Sequence, residues 1–207
     1  MKREAVTIVR TLGVTGYEDT WRAMQSFTQA RDTGTPDELW LTEHPPVYTL
    51  GVAGRSQHLP RFDNGIPVVR TDRGGQITYH GPGQVMLYAL LDLRRRDLTV
   101  RALVRLLEQA VIDLLETEGI TAAGDPARPG VYVDGAKIAA LGLRVRNGRC
   151  YHGLAFNVDS DPTAFEVIDP CGYPGLAVTS ARKLGIMAPL PSIGAALAAH
   201  LRHRLDS

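Results

Sequence analysis

The chain has 207 residues, of which 44% are hydrophobic and 22% are charged, and its formal net charge is +1. This length and composition allow a substantial core, and they favour one domain spanning residues 1–207. No apolar run approaches the roughly 20 residues of a membrane span, and the first ten residues lack the order of a signal peptide. We therefore expect a cytoplasmic protein without a membrane partner. The charge argues against a nucleic-acid partner, because such proteins usually carry a clear basic excess on one face.

The first half of the chain predicts one helix and several short strands. The capping-box spacing of Thr15 and Glu18 predicts a helix start, and apolar residues at steps of three and four continue the helix to about Arg31. Runs of β-branched and aromatic residues then predict short strands, and a longer apolar strand follows a glycine-rich segment. These strands are predicted at residues 39–41, 47–50 and 85–93.

The second half predicts two more helices and a three-stranded meander. Thr99 is placed to cap a helix with a continuous apolar face, and Gly119 is placed to end it. Asp134-Gly135 and Asn147-Gly148 are typical of two-residue hairpin turns. The strands that these turns join are predicted at residues 131–133, 137–146 and 149–158, and the last helix at 192–205. Runs of strands interrupted by separate helices favour an α+β fold over a doubly wound sheet.

The Asn147-Gly148 turn fixes the register of the hairpin that it closes. In that register Cys150 faces Val145 and lies about 26 Å from Lys137, at ~3.3 Å per residue along the strand. Cys150 shares its phase with apolar residues of its strand, which predicts a small core residue. Lys137 shares its phase with apolar residues of the preceding strand, which predicts an inward or cleft-facing side chain. The alternative for Lys137 is a strand-end lysine that snorkels to water.

Two side chains have the chemistry of a nucleophile and its partner. Cys171 lies between Pro170 and Gly172, in a predicted turn that a ligand can approach closely. A thiol needs a neighbouring cation to be largely ionised at neutral pH. Only three of the 23 basic residues are lysines, so a lysine in the middle of the chain is informative. A mid-chain lysine such as Lys137 can therefore serve as proton acceptor or as ammonium partner to a thiolate. Taken alone, a loop cysteine is more often incidental than nucleophilic.

The glycine-rich segment at residues 73–84 offers backbone amides to a carbonyl or phosphate, with Arg73 and His80 as polar anchors. The alternative is an ordinary pair of turns around a strand, with His80 at the surface. The segment lacks the spacing of a P-loop. His80 and His152 have no companion ligands at a compact spacing, so no metal site is expected.

The sequence resembles the lipoyl/octanoyl transferases, which are octanoyl-carrier-protein:protein N-octanoyltransferases of lipoate biosynthesis. The resemblance covers nearly the whole chain and is carried by four segments, at residues 73–84, 135–142, 151–159 and 170–172. It implies an α+β fold of the lipoate and biotin protein ligase type, with a mixed, largely antiparallel sheet flanked by helices. It also implies that Cys171 is the acyl-accepting nucleophile and that Lys137 is the partner that lowers its pKa.

The same resemblance implies the substrate contacts and the partners. The contacts fall on Arg73, Gly74, Gly75, Gln76, Ile77, Thr78, Tyr79, His80, Ala140, Leu141, Gly142, Gly153, Leu154 and Ala155. The implied donor is octanoyl-acyl carrier protein. The implied acceptors are lipoyl domains of 2-oxoacid dehydrogenase complexes and the glycine cleavage H protein. No cofactor is expected, because thioester exchange is nearly isoenergetic and amide formation is downhill, so ATP is not required.

Two other functions are compatible with the sequence. An ATP-dependent lipoate or biotin protein ligase resembles the same fold and also uses a lysine, but the placement of Cys171 after Pro170 argues against it. A non-catalytic protein could instead dock carrier or lipoyl domains, with arginines such as those at positions 94–96 facing acidic partners.

Overall fold

The computed structural model describes residues 7–173 and 175–206, with the side chain of Cys171 outside that description. Within those residues the chain forms ten strands and four helices. The strands are Thr7–Val14 (β1), Asp37–Glu43 (β2), Val47–Leu50 (β3), Val68–Arg70 (β4), Ile77–His80 (β5), Gln84–Asp92 (β6), Ala123–Gly124 (β7), Gly130–Val133 (β8), Ala136–Arg146 (β9) and Arg149–Asn157 (β10). The helices are Tyr17–Ala30 (α1), Val100–Thr117 (α2), Thr163–Glu166 (α3) and Leu190–Asp206 (α4). Short 3-10 turns lie at Ser56–His58, Pro170–Gly172 and Arg182–Leu184.

Seven of the described strands form the main sheet, in the order β1-β2-β6-β10-β9-β8-β7. Only the β1–β2 pair among them is parallel, so the sheet is mixed and largely antiparallel, as the sequence predicts. Alternate residues of β2 and β6 pack into two different cores. One core lies under α2 and α4 and includes Leu87, and the other lies under α1 and includes Tyr88. Both faces of these strands are covered, which explains their continuous apolar sequence.

The remaining strands form a separate small sheet, in the order β4-β3-β5. Its core contains Tyr48, Ile77 and Tyr79 together with Phe165 of α3. The sequence predicts one sheet, whereas the strands around the glycine-rich segment pair only with each other. This small sheet holds the glycine-rich segment against the main sheet, where the site lies.

Most predicted helix and strand positions are confirmed, with differences at the chain's beginning. The Thr99 hydroxyl accepts from the Ala102 amide and caps α2, as predicted. The capping box at Thr15 is wrong, because Gly16 is the N-cap of α1 and the Thr15 hydroxyl bonds the Thr42 hydroxyl instead. Strand β1 was not predicted, and it is an edge strand paired in parallel with β2. Among the described residues, no helix has the length and apolarity needed to cross a bilayer.

The β9–β10 hairpin has the predicted register near its turn. Cys150 pairs with Val145, and Asn147 and Gly148 have φ angles of 53° and 77°, as a type I′ turn requires. At the other end of β9 the pairing with β8 shifts between Val131 and Tyr132, which marks a β-bulge.

The bulge changes which way Lys137 faces. Ile138 and Ala139 both pack into the core under α2 and α4. Lys137 instead lines a cavity with Ala140, on the other face of the sheet. The predicted phase of Lys137 with the apolar side of β9 is therefore wrong, although the side chain is buried, with only 3% of it exposed.

Candidate active site

A pocket opens where the small sheet faces β9 and β10, and it holds about 450 Å³ of empty space, which includes open solvent at its mouth. It is lined by Arg73, Gly75, Gln76, Ile77, Thr78, His80, Ala140, Leu141, Gly142, Gly153, Leu154 and Ala155, all predicted contacts. Gly74 and Tyr79 do not line it. Gly74 borders a neighbouring groove, and the Tyr79 ring packs against Tyr48 and Phe165 in the core of the small sheet. The three separate segments of the chain thus meet in one place.

The small residues of the pocket have different reasons to be small. A Cβ on Gly153 would lie 2.0 Å from the Leu87 carbonyl oxygen of β6, so the close approach of two strands requires glycine there. A Cβ on Gly142 would lie 3.0 Å from the Gly74 oxygen and 3.2 Å from Arg73 Cδ. Gly142 therefore lets the glycine-rich segment come close to β9.

His80 is buried in the pocket wall, so its alternative placement at the surface is wrong. Its Nε2 atom is 3.1 Å from the Thr49 hydroxyl, its Nδ1 atom is 3.3 Å from Gln84 Oε1, and its ring stacks on Tyr17. Burial, followed by the charge of Arg73, holds the pKa of His80 well below its usual range. His80 is consequently uncharged at neutral pH.

Arg73 holds the glycine-rich segment together. Its guanidinium donates to the Thr49 carbonyl and hydroxyl and to the carbonyls of Gly74 and Gln76, at 2.5 to 3.0 Å. These bonds fold the segment back on β3 and use most of the donors of the guanidinium fork. Arg73 is thus a polar anchor for groups of the protein itself, which are mainly backbone carbonyls.

His152 lies on the opposite wall and is held by Asp72. The Asp72 carboxylate accepts from His152 Nε2 at 2.9 Å, from Trp21 Nε1 at 2.9 Å, from Gln25 at 3.2 Å and from the Tyr151 hydroxyl. Burial would raise the pKa of Asp72, but the hydrogen bonds from His152 and Tyr151 lower it far below its usual range. His152 has a φ of 64°, a left-handed conformation that is strained for a non-glycine residue.

The pocket is kept free of titrating charge in spite of its two histidines. Burial lowers the pKa of His152, and the hydrogen bond that His152 donates to Asp72 offsets only part of that effect. Both histidines therefore remain neutral at pH 7, and the Arg73 guanidinium is turned toward carbonyls. An apolar ligand can occupy such a pocket without contacting an unpaired ion.

Lys137 lies beside the pocket, at the edge of β9. Its Nζ atom donates to the Pro129 carbonyl at 3.2 Å and lies 5.2 Å from the centre of the Tyr132 ring. Its backbone bonds the segment after the Pro170–Gly172 turn, through the Ala177 oxygen and the Thr179 amide. The backbone of Lys137 thus holds the segment at Ala177 and Thr179 next to β9.

The turn at Pro170–Gly172 closes against the glycine-rich segment. The Gly172 amide donates to the Asp169 oxygen at 2.8 Å, and Arg61 bonds the Asp169 carboxylate at 2.6 Å. Gly172 has a φ of 74°, and a Cβ there would lie 3.1 Å from Cδ of Gln76. One small cavity is lined by both Pro170 and Lys137. The predicted geometry between the Cys171 thiol and Lys137 lies outside the described residues.

Cys150 is a core residue, as predicted. It is 1% exposed, it packs in the core under α2 and α4, and burial raises its pKa to about 12. A thiol with that pKa is not ionised at neutral pH, so Cys150 is unsuited to nucleophilic attack.

Several pocket residues were not predicted as contacts: Tyr17, Met86, Tyr88 and His152. The sequence pattern predicts Tyr17 only as part of an ordinary apolar helix face, and Met86 and Tyr88 belong to an uninterrupted apolar strand. The even positions of β6 face α1 and the pocket, but an apolar run covered on both sides carries no periodicity to reveal this. Among the residues that the structure describes, no group of three or more side chains is arranged to hold a metal ion.

Comparison with known proteins shows the family and the fold of this chain. Residues 16–200 match the family model of the lipoyl protein ligase A/B catalytic domain. An octanoyltransferase of Thiobacillus denitrificans is 64% identical over 179 residues, which cover 86% of this chain and 82% of that protein. One of Nitrosomonas europaea is 61% identical over 178 residues, covering 86% and 87%. A putative lipoate protein ligase from T. acidophilum shares the fold, with a TM-score of 0.79 and 17% identity over 96% of this chain and 85% of that one.

The α+β fold is that of a lipoyl protein ligase A/B catalytic domain, which confirms the predicted fold class. Within that class, the chain belongs to the octanoyltransferase family and is an acyltransferase of protein lipoylation.

Proposed function

We propose that the protein transfers an octanoyl group from octanoyl-acyl carrier protein to a lysine of a lipoyl domain, through a thioester on Cys171. The observation that carries this proposal is the position of Lys137. A buried lysine lines one cavity with Pro170 of the cysteine-bearing turn and with Ala140 and Ala155 of the pocket wall. Thiol-based acyl transfer needs a cation that stabilises a thiolate, and a buried lysine on a cavity that the cysteine-bearing turn also lines is positioned to supply it.

The first half-reaction acylates the enzyme. The Lys137 amine takes the proton of the Cys171 thiol, and the thiolate attacks the carbonyl carbon of the carrier thioester. The tetrahedral intermediate collapses as the bond to the carrier's sulfur breaks, and that sulfur takes the proton from Lys137. The amides of Gly74 and Gly172 already donate to the Leu143 and Asp169 carbonyls. We therefore seek the oxyanion donors among the other amides of these two segments.

The second half-reaction transfers the group. The ammonium of the incoming lysine gives up a proton to Lys137, and the free amine attacks the carbonyl carbon of the thioester. An amide bond forms as the bond between the carbonyl carbon and the Cys171 sulfur breaks, and the second proton of the attacking nitrogen passes to that sulfur. Lys137 releases the first proton to solvent, so the site returns to its starting state of thiol and amine. Both steps conserve atoms and charge without ATP.

The acyl chain is assigned to the pocket. Met86, Ala140 and Ala155 supply apolar wall, and the two histidines are neutral. Burial of a methylene group is worth about 0.8 kcal/mol, so an eight-carbon chain gains several kcal/mol of binding.

Mass spectrometry of the purified protein tests the proposal. After incubation with octanoyl-acyl carrier protein and no nucleotide, we expect an octanoyl adduct on a peptide containing Cys171 and on none containing Cys150. Addition of a lipoyl domain should discharge the adduct to a lysine of that domain. An ATP-dependent ligase would give no product in this mixture, and a silent docking protein would give no adduct.

The structure also bears on the docking alternative. Arg95 and Arg96 bond the buried Asp37 carboxylate, together with Arg31, and so stabilise the fold. Two of the three arginines invoked to face acidic partners are thus already paired within the chain.

The remaining assignments belong to the same proposal. Lipoyl-domain proteins in general are the acceptors, and we name the 2-oxoacid dehydrogenase complexes and the glycine cleavage H protein as the particular ones. We treat residues 1–207 as one catalytic domain. We place the reaction in the cytoplasm, which suits the free thiol of Cys150.

A further inference from the structure

One peptide unit joins Lys137 to a carboxylate on helix α2. Lys137 Nζ donates to the Pro129 oxygen at 3.2 Å, and the Gly130 amide donates to Glu108 Oε1 at 3.0 Å. That oxygen and that amide belong to the same peptide group, between Pro129 and Gly130. Lys137 and Glu108 therefore bind the two opposite ends of the Pro129–Gly130 peptide dipole.

The surroundings of this peptide group are tight. A Cβ on Gly130 would lie 2.8 Å from the Ala139 oxygen and 3.0 Å from Lys137 Cε, and Gly130 has a φ of 145°. A Cβ on Gly124 would lie 3.1 Å from Glu108 Oε2. Positions 124 and 130 therefore leave little room for any side chain larger than that of glycine beside the carboxylate and the peptide group. The two hydrogen bonds thus lie in the closely packed region where α2 meets β7 and β8.

Glu108 has an unusual position for a carboxylate. It is half-buried between the core positions Leu107 and Ala110 of α2. Burial raises the pKa of Glu108, while the Gly130 amide lowers it, and the charges that act on the carboxyl are those of Arg105, Asp125 and Lys137. A glutamate that serves only for solubility would face water instead.

We propose that Glu108 is a positioning residue that holds the Lys137 ammonium toward the active-site turn, acting through the Pro129–Gly130 peptide group. A carboxylate that accepts from an amide polarises it, and the carbonyl of the same amide becomes a stronger acceptor. The negative charge also favours the ammonium form of Lys137 at close range. This inference rests on the proposed role of Lys137 and goes beyond it, because Glu108 is not among the described residues that line the pocket.

The test is the pH dependence of Cys171 alkylation by iodoacetamide in the full-length protein. Glu108→Gln keeps the size and an acceptor oxygen but removes the charge. We expect its alkylation midpoint to move up by about half a pH unit, with a roughly threefold loss of thiolate at neutral pH and a matching fall in kcat. KM for the carrier substrate should stay unchanged, because the pocket is untouched. Glu108→Met, which also lacks the acceptor, should shift the midpoint at least as far.

Asp113→Asn is the matched control. Asp113 is another partly buried carboxylate of α2, but it bonds Arg204 and Gln109 instead of β8. Its loss should lower stability without moving the alkylation midpoint. The control variant keeps the charged and titratable groups that lie near Lys137, which include Arg105, Glu108, Asp125 and Tyr132.

A double variant separates this inference from the dyad. In a Lys137→Met background, Glu108→Gln should cause no further shift, because its effect passes through Lys137. If Lys137→Met itself leaves the midpoint unchanged, the dyad is wrong. If Lys137→Met moves the midpoint and Glu108→Gln in a folded protein does not, the dyad stands and the role of Glu108 is overturned. An equal Glu108→Gln shift in both backgrounds would also overturn it.

Discussion

The two ends of the β9–β10 hairpin are built differently. At the closed end, Asn147-Gly148 forms the turn that its sequence predicts, the register is regular and Cys150 packs in the core. At the open end, the pairing of β9 with β8 shifts, and Lys137 turns from the core face to the pocket face. The closed end is determined by residues adjacent in sequence. The open end depends on β8 and on the segment around Ala177, which bonds the backbone of Lys137.

The difference between the two ends explains why the Cys150 thiol is unreactive and why the Lys137 side chain is buried. Regular pairing and burial make Cys150 an inert thiol with a raised pKa. Irregular pairing gives Lys137 a buried position beside a cavity, where a regular strand would have pointed it at the core. Burial of an ammonium among aliphatic side chains would be costly, so the bulge is what makes a lysine acceptable at this position.

Replacement of the cysteines gives the largest expected contrast. Cys171→Ala should abolish octanoyl transfer, because no nucleophile remains to form the thioester. Cys150→Ala should keep most of the activity and lose about 1 kcal/mol of stability, since it removes only a buried sulfur. Turnover with octanoyl-acyl carrier protein and urea unfolding measure the two effects. Equal losses of turnover in two folded variants would contradict the division of roles between the two cysteines.

Lys137 variants test whether the open end supplies a proton acceptor or only a cation. Lys137→Arg keeps a cation but cannot exchange a proton near neutral pH, so we expect partial alkylation of Cys171 by iodoacetamide and a loss of transfer of about 100-fold or more. Lys137→Met should lose both. The measurement is the pH dependence of alkylation beside turnover. A Met variant that titrates and turns over like wild type would falsify the dyad.

Gly153 lies in the middle of the hairpin and tests how far the close strand packing extends. Gly153→Ala places a methyl group 2.0 Å from the Leu87 oxygen, and backbone must move to admit it. We expect a loss of about 3 kcal/mol or more in the free energy of unfolding. Gly194→Ala in α4 is the matched control, because its Cβ has no neighbour nearer than 3.5 Å. That variant should be as stable as wild type or gain up to about 1 kcal/mol from helix propensity.

The difference between the hairpin ends also defines what could be predicted from sequence. The Asn147-Gly148 turn and the Thr99 cap depend on residues adjacent in sequence, and both predictions are confirmed. The predicted cap at Thr15 is wrong because its hydroxyl bonds Thr42 of β2. The shift between Val131 and Tyr132 is a property of two strands together, and no residue type in β9 marks it. Strand β1 was not predicted for a related reason. A parallel edge strand is not joined to its partner by a hairpin turn, so no turn residues mark its position in the sequence.

The same reasoning applies to the site. The glycine-rich segment, β9 and β10 were brought to one pocket by resemblance, and the structure places them there. Asp72, which fixes His152, was not predicted, because its hydrogen bonds to Trp21, Gln25 and Tyr151 join elements distant in sequence. A lone aspartate before a glycine pair gives no local sign of such a role.

Acid should lower the free energy of unfolding through the buried histidines in and around the pocket. Burial lowers the pKa of His44, His80 and His152, so each binds a proton more readily in the unfolded chain than in the folded one. Stability is then complete above the usual histidine pKa and is lost as the pH falls below about 6.5. We expect a loss of about 2 kcal/mol between pH 7.5 and pH 5.5, measured by urea unfolding. His80→Asn should flatten part of this slope, and an unchanged slope in that variant would contradict the assignment.

The smallest expected effect concerns the length of the acyl chain. Gly142 lines the pocket near the glycine-rich segment, and a valine there would add volume beside Arg73 Cδ and the Gly74 oxygen. Because each buried methylene is worth about 0.8 kcal/mol, displacing the last one or two carbons should cost an octanoyl donor roughly 4- to 15-fold in kcat/KM. A hexanoyl donor should lose much less, so the preferred donor becomes shorter. Gly34→Val, at an exposed loop, is the control and should leave the ratio of the two donors unchanged. If Gly142→Val slows both donors equally, the added methyl groups disturb the glycine-rich segment instead of filling the pocket, and the chain must end elsewhere along β9.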